Sequence, residues 1–290
     1  MKFKPKERKL SLENIGWLKP IPYQLEAYNQ TPCHYFSEYY GKTIHWFPTD
    51  SEEKYNEHIK YERNIRLLRE NGWLNTQIDY HITVQGFRHD GTQPDYTAEK
   101  GGVLWLGDSN TFGTGVPIEQ TMPYIAHHMN DITRNYRYIN FGLPGFGIDT
   151  YYRVLKYYIE QVKPNYVIMT NPWISTRTEV YNEPHERWDV ISIQQNDPYW
   201  ENRLQHLFND TACMMRWTKC LDAIKWLCHS NNAIFLCPED SKSEHTKNFK
   251  HMIIPGDFAR DLLHPGIKNN QYNAEVMNRV IDDVFKSTSK

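Results

Sequence analysis

From Gly101 onward, short apolar runs alternate with longer stretches whose apolar residues recur at helical spacing. Val103-Leu104-Trp105-Leu106 is apolar at every position, the pattern of a strand buried on both faces of a sheet. The pattern then predicts a helix near 118–130, a strand over 137–141 and a helix near 148–162. In that second helix Tyr151, Val154, Leu155, Tyr158 and Ile159 share one face. Lys163-Pro164-Asn165 breaks it, and a strand over 166–170 follows. A helix from Thr211 to Ser230, a strand over 233–237 and a final helix over about 270–286 complete the series. Strands alternating with helices predict an α/β fold, with a parallel sheet covered by helices on both faces.

The first 97 residues follow a different pattern. Ser51 to Asn71 is charged, with Ile59, Ile65, Leu67 and Leu68 at roughly helical spacing, and predicts one amphipathic surface helix ending before Gly72. Gln77 to Val84 alternates with period two, as a half-buried strand does. Residues 1–97 are therefore expected to form an accessory N-terminal segment, and 98–290 the main domain. Within that domain 172–210 interrupts the rhythm. It is polar but carries Trp173, Tyr181, Trp188, Tyr199 and Trp200. So long a connection is expected either to line a substrate pocket or lid, with Trp173 as a candidate contact, or to be a surface insertion without ligand contact.

The chemistry lies where the first buried strand stops, at Gly107-Asp108-Ser109-Asn110. Open α/β sheets present ligand-binding side chains at the carboxyl ends of their strands, and Ser109 sits there. Taken alone, it fits a helix cap or turn serine equally well. Asp261-Leu262-Leu263-His264 is the only Asp-x-x-His in the chain. A carboxylate three residues before an imidazole can fix its tautomer, leaving the other ring nitrogen to take a serine proton. Asp108 reads as a residue that shapes the nucleophile turn.

These two motifs together resemble the SGNH (GDSL-type) hydrolase superfamily. Two further blocks of that family have counterparts here. Tyr138 to Gly145 offers Gly145 as the oxyanion-hole glycine, and Tyr166 to Asn171 offers Asn171 as the oxyanion-hole asparagine. The third block departs from the family pattern, with Met169 and Pro172 in place of its glycine and aspartate. The resemblance spans roughly 101–266 and implies a flavodoxin-like three-layer α/β/α sandwich. It also implies a Ser109–His264–Asp261 triad, an oxyanion hole from Ser109, Gly145 and Asn171, and ester hydrolysis that needs neither metal nor organic cofactor.

Composition narrows the partners. With 33 basic against 35 acidic residues the formal charge is −2, which gives no reason to expect nucleic acid. The mean hydropathy of −0.74 argues against a lipase with a broad apolar surface. The expected substrate is a short acyl ester, acetyl for example, on a polar alcohol such as a carbohydrate. Aromatic residues, at 14%, are consistent with sugar stacking, but packing of the core and its edges is the reading they favour. Five cysteines without a Cys-x-x-Cys pair predict reduced thiols, and no apolar run predicts a signal peptide or membrane span, so a cytoplasmic protein is expected. His127-His128 reads as a surface pair. No Gly-x-Ser-x-Gly elbow, phosphate loop or His-Glu-x-x-His motif occurs. Tyr- and Asn-rich chains of this kind also resemble phage-encoded proteins, so the alternative expectation is a virion-associated structural or glycan-binding module with little turnover. Association with a virion or with further copies of the chain belongs to the same set of expectations.

Overall fold

The computed structural model describes residues 38–170, 177–182, 187–192, 210–238 and 254–288. In chain order the first elements are β1 (Thr43–Ile44), α1 (Glu52–His58), α2 (Glu62–Glu70), β2 (Tyr80–Ile82) and β3 (Arg88–His89). They are followed by β4 (Val103–Gly107), the one-turn helix α3 (Ser109–Phe112), α4 (Met122–Met129), β5 (Tyr138–Gly142), α5 (Ile148–Val162) and β6 (Tyr166–Met169). A hairpin of β7 (Arg177–Asn182) and β8 (Arg187–Ser192), then α6 (Asp210–Ser230), β9 (Ile234–Leu236) and α7 (Ile267–Thr288), complete the described elements.

The central sheet is parallel, in the order β5-β4-β6-β9. Successive side chains of β4 point to opposite faces, and each face is buried under helices. Leu104 and Leu106 join Ile139, Phe141, Val167 and Met169 beneath α5 and α6, where Val154, Leu155, Tyr158, Leu221 and Ile224 are buried. Val103 and Trp105 face Met122 and Ala126 of α4 and Ala274, Met277, Val280 and Ile281 of α7. This is the three-layer α/β/α arrangement that the pattern predicts, and it explains why β4 is apolar throughout.

Residues 38–97 build a separate three-stranded antiparallel sheet, β1-β2-β3. Ile78, Tyr80 and Ile82 are buried as the alternation predicts, although the ladder itself spans only Tyr80–Ile82, because its partner strands are two residues long. The single helix expected over 51–71 is two helices. Ile59 and Tyr61 are exposed at the break and only Leu68 is buried, so the apolar residues do not form one stripe. The helix expected near 118–130 is likewise divided, into a 3-10 turn at Ile118–Gln120 and α4, with the Thr121 hydroxyl capping the second piece. The long connection after β6 carries the β7–β8 hairpin, an element that the sequence pattern did not predict. Among the described residues no helix is long and apolar enough to cross a membrane, and Cys213, Cys220, Cys228 and Cys237 are free thiols.

The surface position expected for His127 does not hold either. His128 is exposed, but His127 is buried, with its Nε2–H donating to the Tyr136 carbonyl at 3.1 Å. Burial, with a contribution from His128, pushes the His127 pKa down to about 4. An unfolded histidine titrates near ~6.5, so between these values the unfolded chain binds more protons than the folded one. Stability therefore falls as pH drops through that window, by on the order of 2–3 kcal/mol from this residue. His127→Gln, which keeps a donor for Tyr136, is expected to flatten the acid limb of stability measured by denaturant unfolding between pH 7 and pH 4. An unchanged limb would assign the acid sensitivity to other groups.

Candidate active site

Strand β4 ends at Gly107, and Asp108 caps the helix that follows, its Oδ1 accepting from the Asn110 N–H at 2.9 Å. Ser109 is thus the first residue of α3. Its backbone N–H belongs to the helix start, where donors have no intrahelical acceptor. The helix rests directly on the strand ends. A Cβ on Gly142 would lie 2.2 Å from the Phe112 nitrogen, so only glycine permits this approach. Asn140, fully buried in β5, locks the turn in place by donating to the Thr111 carbonyl at 2.8 Å and accepting from the Gly142 N–H at 2.7 Å. The Thr111 hydroxyl is hydrogen-bonded to that of Thr170 at the end of β6.

The second loop lies between β9 and α7. Asp261 Oδ1 accepts the backbone N–H groups of Leu263 (3.1 Å) and His264 (3.0 Å), folding the Asp-x-x-His segment on itself. Leu262 adopts a left-handed φ of 54° to allow this, a conformation costly for a side chain with a Cβ. The free carboxylate oxygen Oδ2 meets His264 Nδ1 at 2.5 Å, and His264 Nε2 stands 2.8 Å from Ser109 Oγ. The Asp261 carboxyl is pulled in two directions. Burial raises its pKa, but the hydrogen bond and charge of His264 and the two backbone donors outweigh this and hold it below the usual carboxylate value. A carboxylate, an imidazole and a serine hydroxyl therefore form one continuous hydrogen-bonded chain, with the His264 side chain 13% exposed and that of Asp261 1%.

Gly115 joins the two loops. Its carbonyl accepts from the Arg260 N–H at 2.9 Å, and at φ 77° its Cα packs against Ala259 and the backbone of Arg260 and Asp261. Arg88, from β3, fixes the other side of the turn that carries Ser109. It is fully buried, its guanidinium 4.4 Å from the centre of the Tyr80 ring, and it donates to the carbonyls of Phe112 (3.1 Å), Gly113 and Val116 (2.9 Å). Arg88 belongs to no motif visible in the sequence, whereas Gly115 closes the glycine-rich stretch that begins at Gly101.

The remaining sequence candidates lie around this chain or outside the described residues. Gly145 sits in the loop between β5 and α5 with φ 88°, and a Cβ there would meet nothing within 4 Å. The same loop is tied to the end of β4 by the Leu143 N–H, which donates to the Gly107 carbonyl at 2.8 Å. Asn171 and Trp173 are outside the described residues. The hairpin that follows them docks beside the Gly145 loop: Gly147 abuts the Arg177 carbonyl, and Asp149 accepts from the Thr178 hydroxyl at 2.6 Å and the Glu179 N–H at 2.8 Å. A buried Arg153–Glu179 ion pair holds the hairpin to α5. Among the described residues no group of three or more His, Cys, Asp or Glu side chains could hold a metal.

No family model matches this chain, and no curated protein matches its sequence significantly. Significant matches to solved structures include a protein from Desulfitobacterium hafniense DCB-2 described as lipolytic and of the G-D-S-L family. It is 16% identical, with a TM-score of 0.35, over 63% of this chain and 99% of its own. TesA is 12% identical with a TM-score of 0.38, over 62% of this chain and 98% of its own. A Bacteroides fragilis NCTC 9343 protein described as an acylhydrolase is 16% identical with a TM-score of 0.29, over 66% of this chain and 89% of its own.

The contact between the two loops makes a prediction of its own. A Cβ at Gly115 would lie 2.8 Å from that of Ala259 and 3.1 Å from the Arg260 nitrogen, whereas at Gly256, with a similar φ of 84°, it would meet nothing. Gly256→Ala is expected to cost about 1 kcal/mol in denaturant unfolding, from backbone conformation alone. Gly115→Ala adds overpacking and is expected to cost roughly 2–4 kcal/mol. Equal losses would contradict a close fit between the loops.

Proposed function

We propose that this protein is a serine esterase of the SGNH type that hydrolyses short acyl esters through a covalent acyl-enzyme. The observation that carries the reading is the hydrogen-bonded chain from Asp261 through His264 to Ser109, with 2.5 Å and 2.8 Å between successive heavy atoms. Ser109 Oγ attacks the ester carbonyl while His264 Nε2 takes its proton. Asp261, ionised and held to Nδ1, stabilises the imidazolium that results. Negative charge on the tetrahedral oxygen is met by the Ser109 and Gly145 backbone N–H groups and by the Asn171 side-chain amide. Each such donor contributes about 10²–10³ in rate. The imidazolium then protonates the departing alcohol, and a water activated by the same histidine releases the acid.

The substrate we favour is an acetyl or similarly short acyl group on a polar alcohol, a carbohydrate for instance. Its support is the polar composition of the chain, with a mean hydropathy of −0.74. The docking of the β7–β8 hairpin next to the Gly145 loop supports a role for the 172–210 segment in choosing the alcohol.

Assayed on a chromogenic acetyl ester, Ser109→Ala and His264→Ala are each expected to lower kcat by about 10⁴-fold or more, and Asp261→Asn by about 10³–10⁴, with the folds intact. A binding module without turnover predicts instead that the wild-type protein is as inactive as these variants.

A further inference from the structure

Between the 38–97 segment and the two catalytic loops, a few buried polar groups that neither motif accounts for form a closed ring. Asp50 receives Arg260 in a forked ion pair, Nε at 3.1 Å and Nη2 at 2.6 Å. The Tyr80 hydroxyl donates to Asp50 Oδ2 at 2.6 Å and accepts from the Gly115 N–H at 2.9 Å. The Gly115 carbonyl returns to the Arg260 N–H at 2.9 Å, closing the circuit. The ion pair is almost fully enclosed, its side chains 1% and 2% exposed, and Tyr80 is fully buried. Arg260 is also held by the His45 carbonyl at 2.8 Å, the Thr76 carbonyl at 3.1 Å and the face of Trp46 at 3.9 Å.

The ring's position in the chain is what gives it a consequence. Arg260 directly precedes Asp261, and Gly115 lies on the turn that carries Ser109. The serine and the histidine sit on loops that share no continuous strand or helix, so their 2.8 Å contact depends on how those loops are held against each other. Further bonds from the same segment reach the acid–base loop: Trp73 Nε1–H donates to the Phe258 carbonyl at 2.6 Å, and His58 Nε2 pairs with the Asp261 carbonyl at 3.1 Å. A buried ion pair is a poor source of net stability, since apolar residues of similar volume serve as well or better. Its forked geometry is directional, and direction is what two independently supported loops require.

We infer that Asp50 and Tyr80 are positioning residues, which act through Arg260 and Gly115 to set the Asp261–His264 loop in register with Ser109. The inference rests on the esterase reading and assigns residues 38–97 a part in catalysis without any contact with substrate. A displacement of about 1 Å at a reacting group costs on the order of 10²-fold in rate. Tyr80→Phe and Asp50→Asn are therefore expected to lower kcat, per folded molecule, by roughly 10- to 100-fold, with KM changed by less than about twofold.

The far-downfield proton resonance of the Asp261–His264 hydrogen bond separates positioning from simple structural support. That bond lies within one loop, so it is expected to persist in both variants, the loop being intact but displaced from Ser109. If the resonance disappears in step with activity and near-ultraviolet circular dichroism, the residues merely keep the loop folded, and the positioning role is overturned. The same follows if either variant, correctly folded, keeps wild-type kcat. A wild-type protein that hydrolyses no ester would overturn the esterase reading, and this inference with it.

Discussion

The contact on which the rest of the structure turns is the 2.8 Å approach of His264 Nε2 to Ser109 Oγ, between residues 155 apart in the chain. Neither side chain is placed by its own element alone. Ser109 stands at the start of a four-residue helix, and His264 on a loop whose backbone at Leu262 is left-handed. Short elements of this kind have few internal bonds and take their geometry from what surrounds them. The surroundings come from two sources, and the fold can be read as the way they are brought together.

The first source is the parallel sheet. Its four strands present their carboxyl ends on one side, and β4, buried on both faces, delivers the Ser109 turn there. Asn140 from the middle of β5 and Thr170 just past the end of β6 bond to Thr111, so the turn is tied to both neighbouring strands. The second source is the small core formed by residues 38–97. Phe47, Leu68, Trp73, Ile78, Tyr80 and Ile82 bury Phe112 and Val116 from the Ser109 side and Ala259 from the Asp261–His264 side. An apolar cluster of this kind supplies cohesion but no direction. Direction comes from the polar groups threaded through it, chiefly Arg88 and the Asp50–Arg260 pair.

Much of this could be read from the amino-acid order because the signals are local. The buried strand over 103–106 with the polar turn that ends it, and the one-turn Asp261-x-x-His264 spacing, are each written within a few residues, and the structure brings Ser109, His264 and Asp261 together. The helix was expected only from about 118, so the one-turn helix Ser109–Phe112 was not foreseen. Helix α5 also has the bounds its periodicity predicts, since one face is uniformly apolar and Lys163-Pro164 ends it. What escaped prediction depends on distant partners. Asp50 and Arg260 are 210 residues apart, and Tyr80 and Gly115 35 apart; no spacing rule links them. The β7 strand was hidden because a hydrophobicity pattern does not expect Glu179 to be buried, and burial is tolerated only through its pairing with Arg153. His127 was misplaced for a similar reason, since the Tyr136 carbonyl that accepts its N–H lies beyond the helix that carries it.

The central claim is that Ser109 is an activated nucleophile, and reaction with a fluorophosphonate tests it most directly. The account predicts stoichiometric covalent modification, located at Ser109 by mass spectrometry and abolished in His264→Ala. Well-folded protein left unmodified, or modified at another residue with Ser109 untouched, would contradict it.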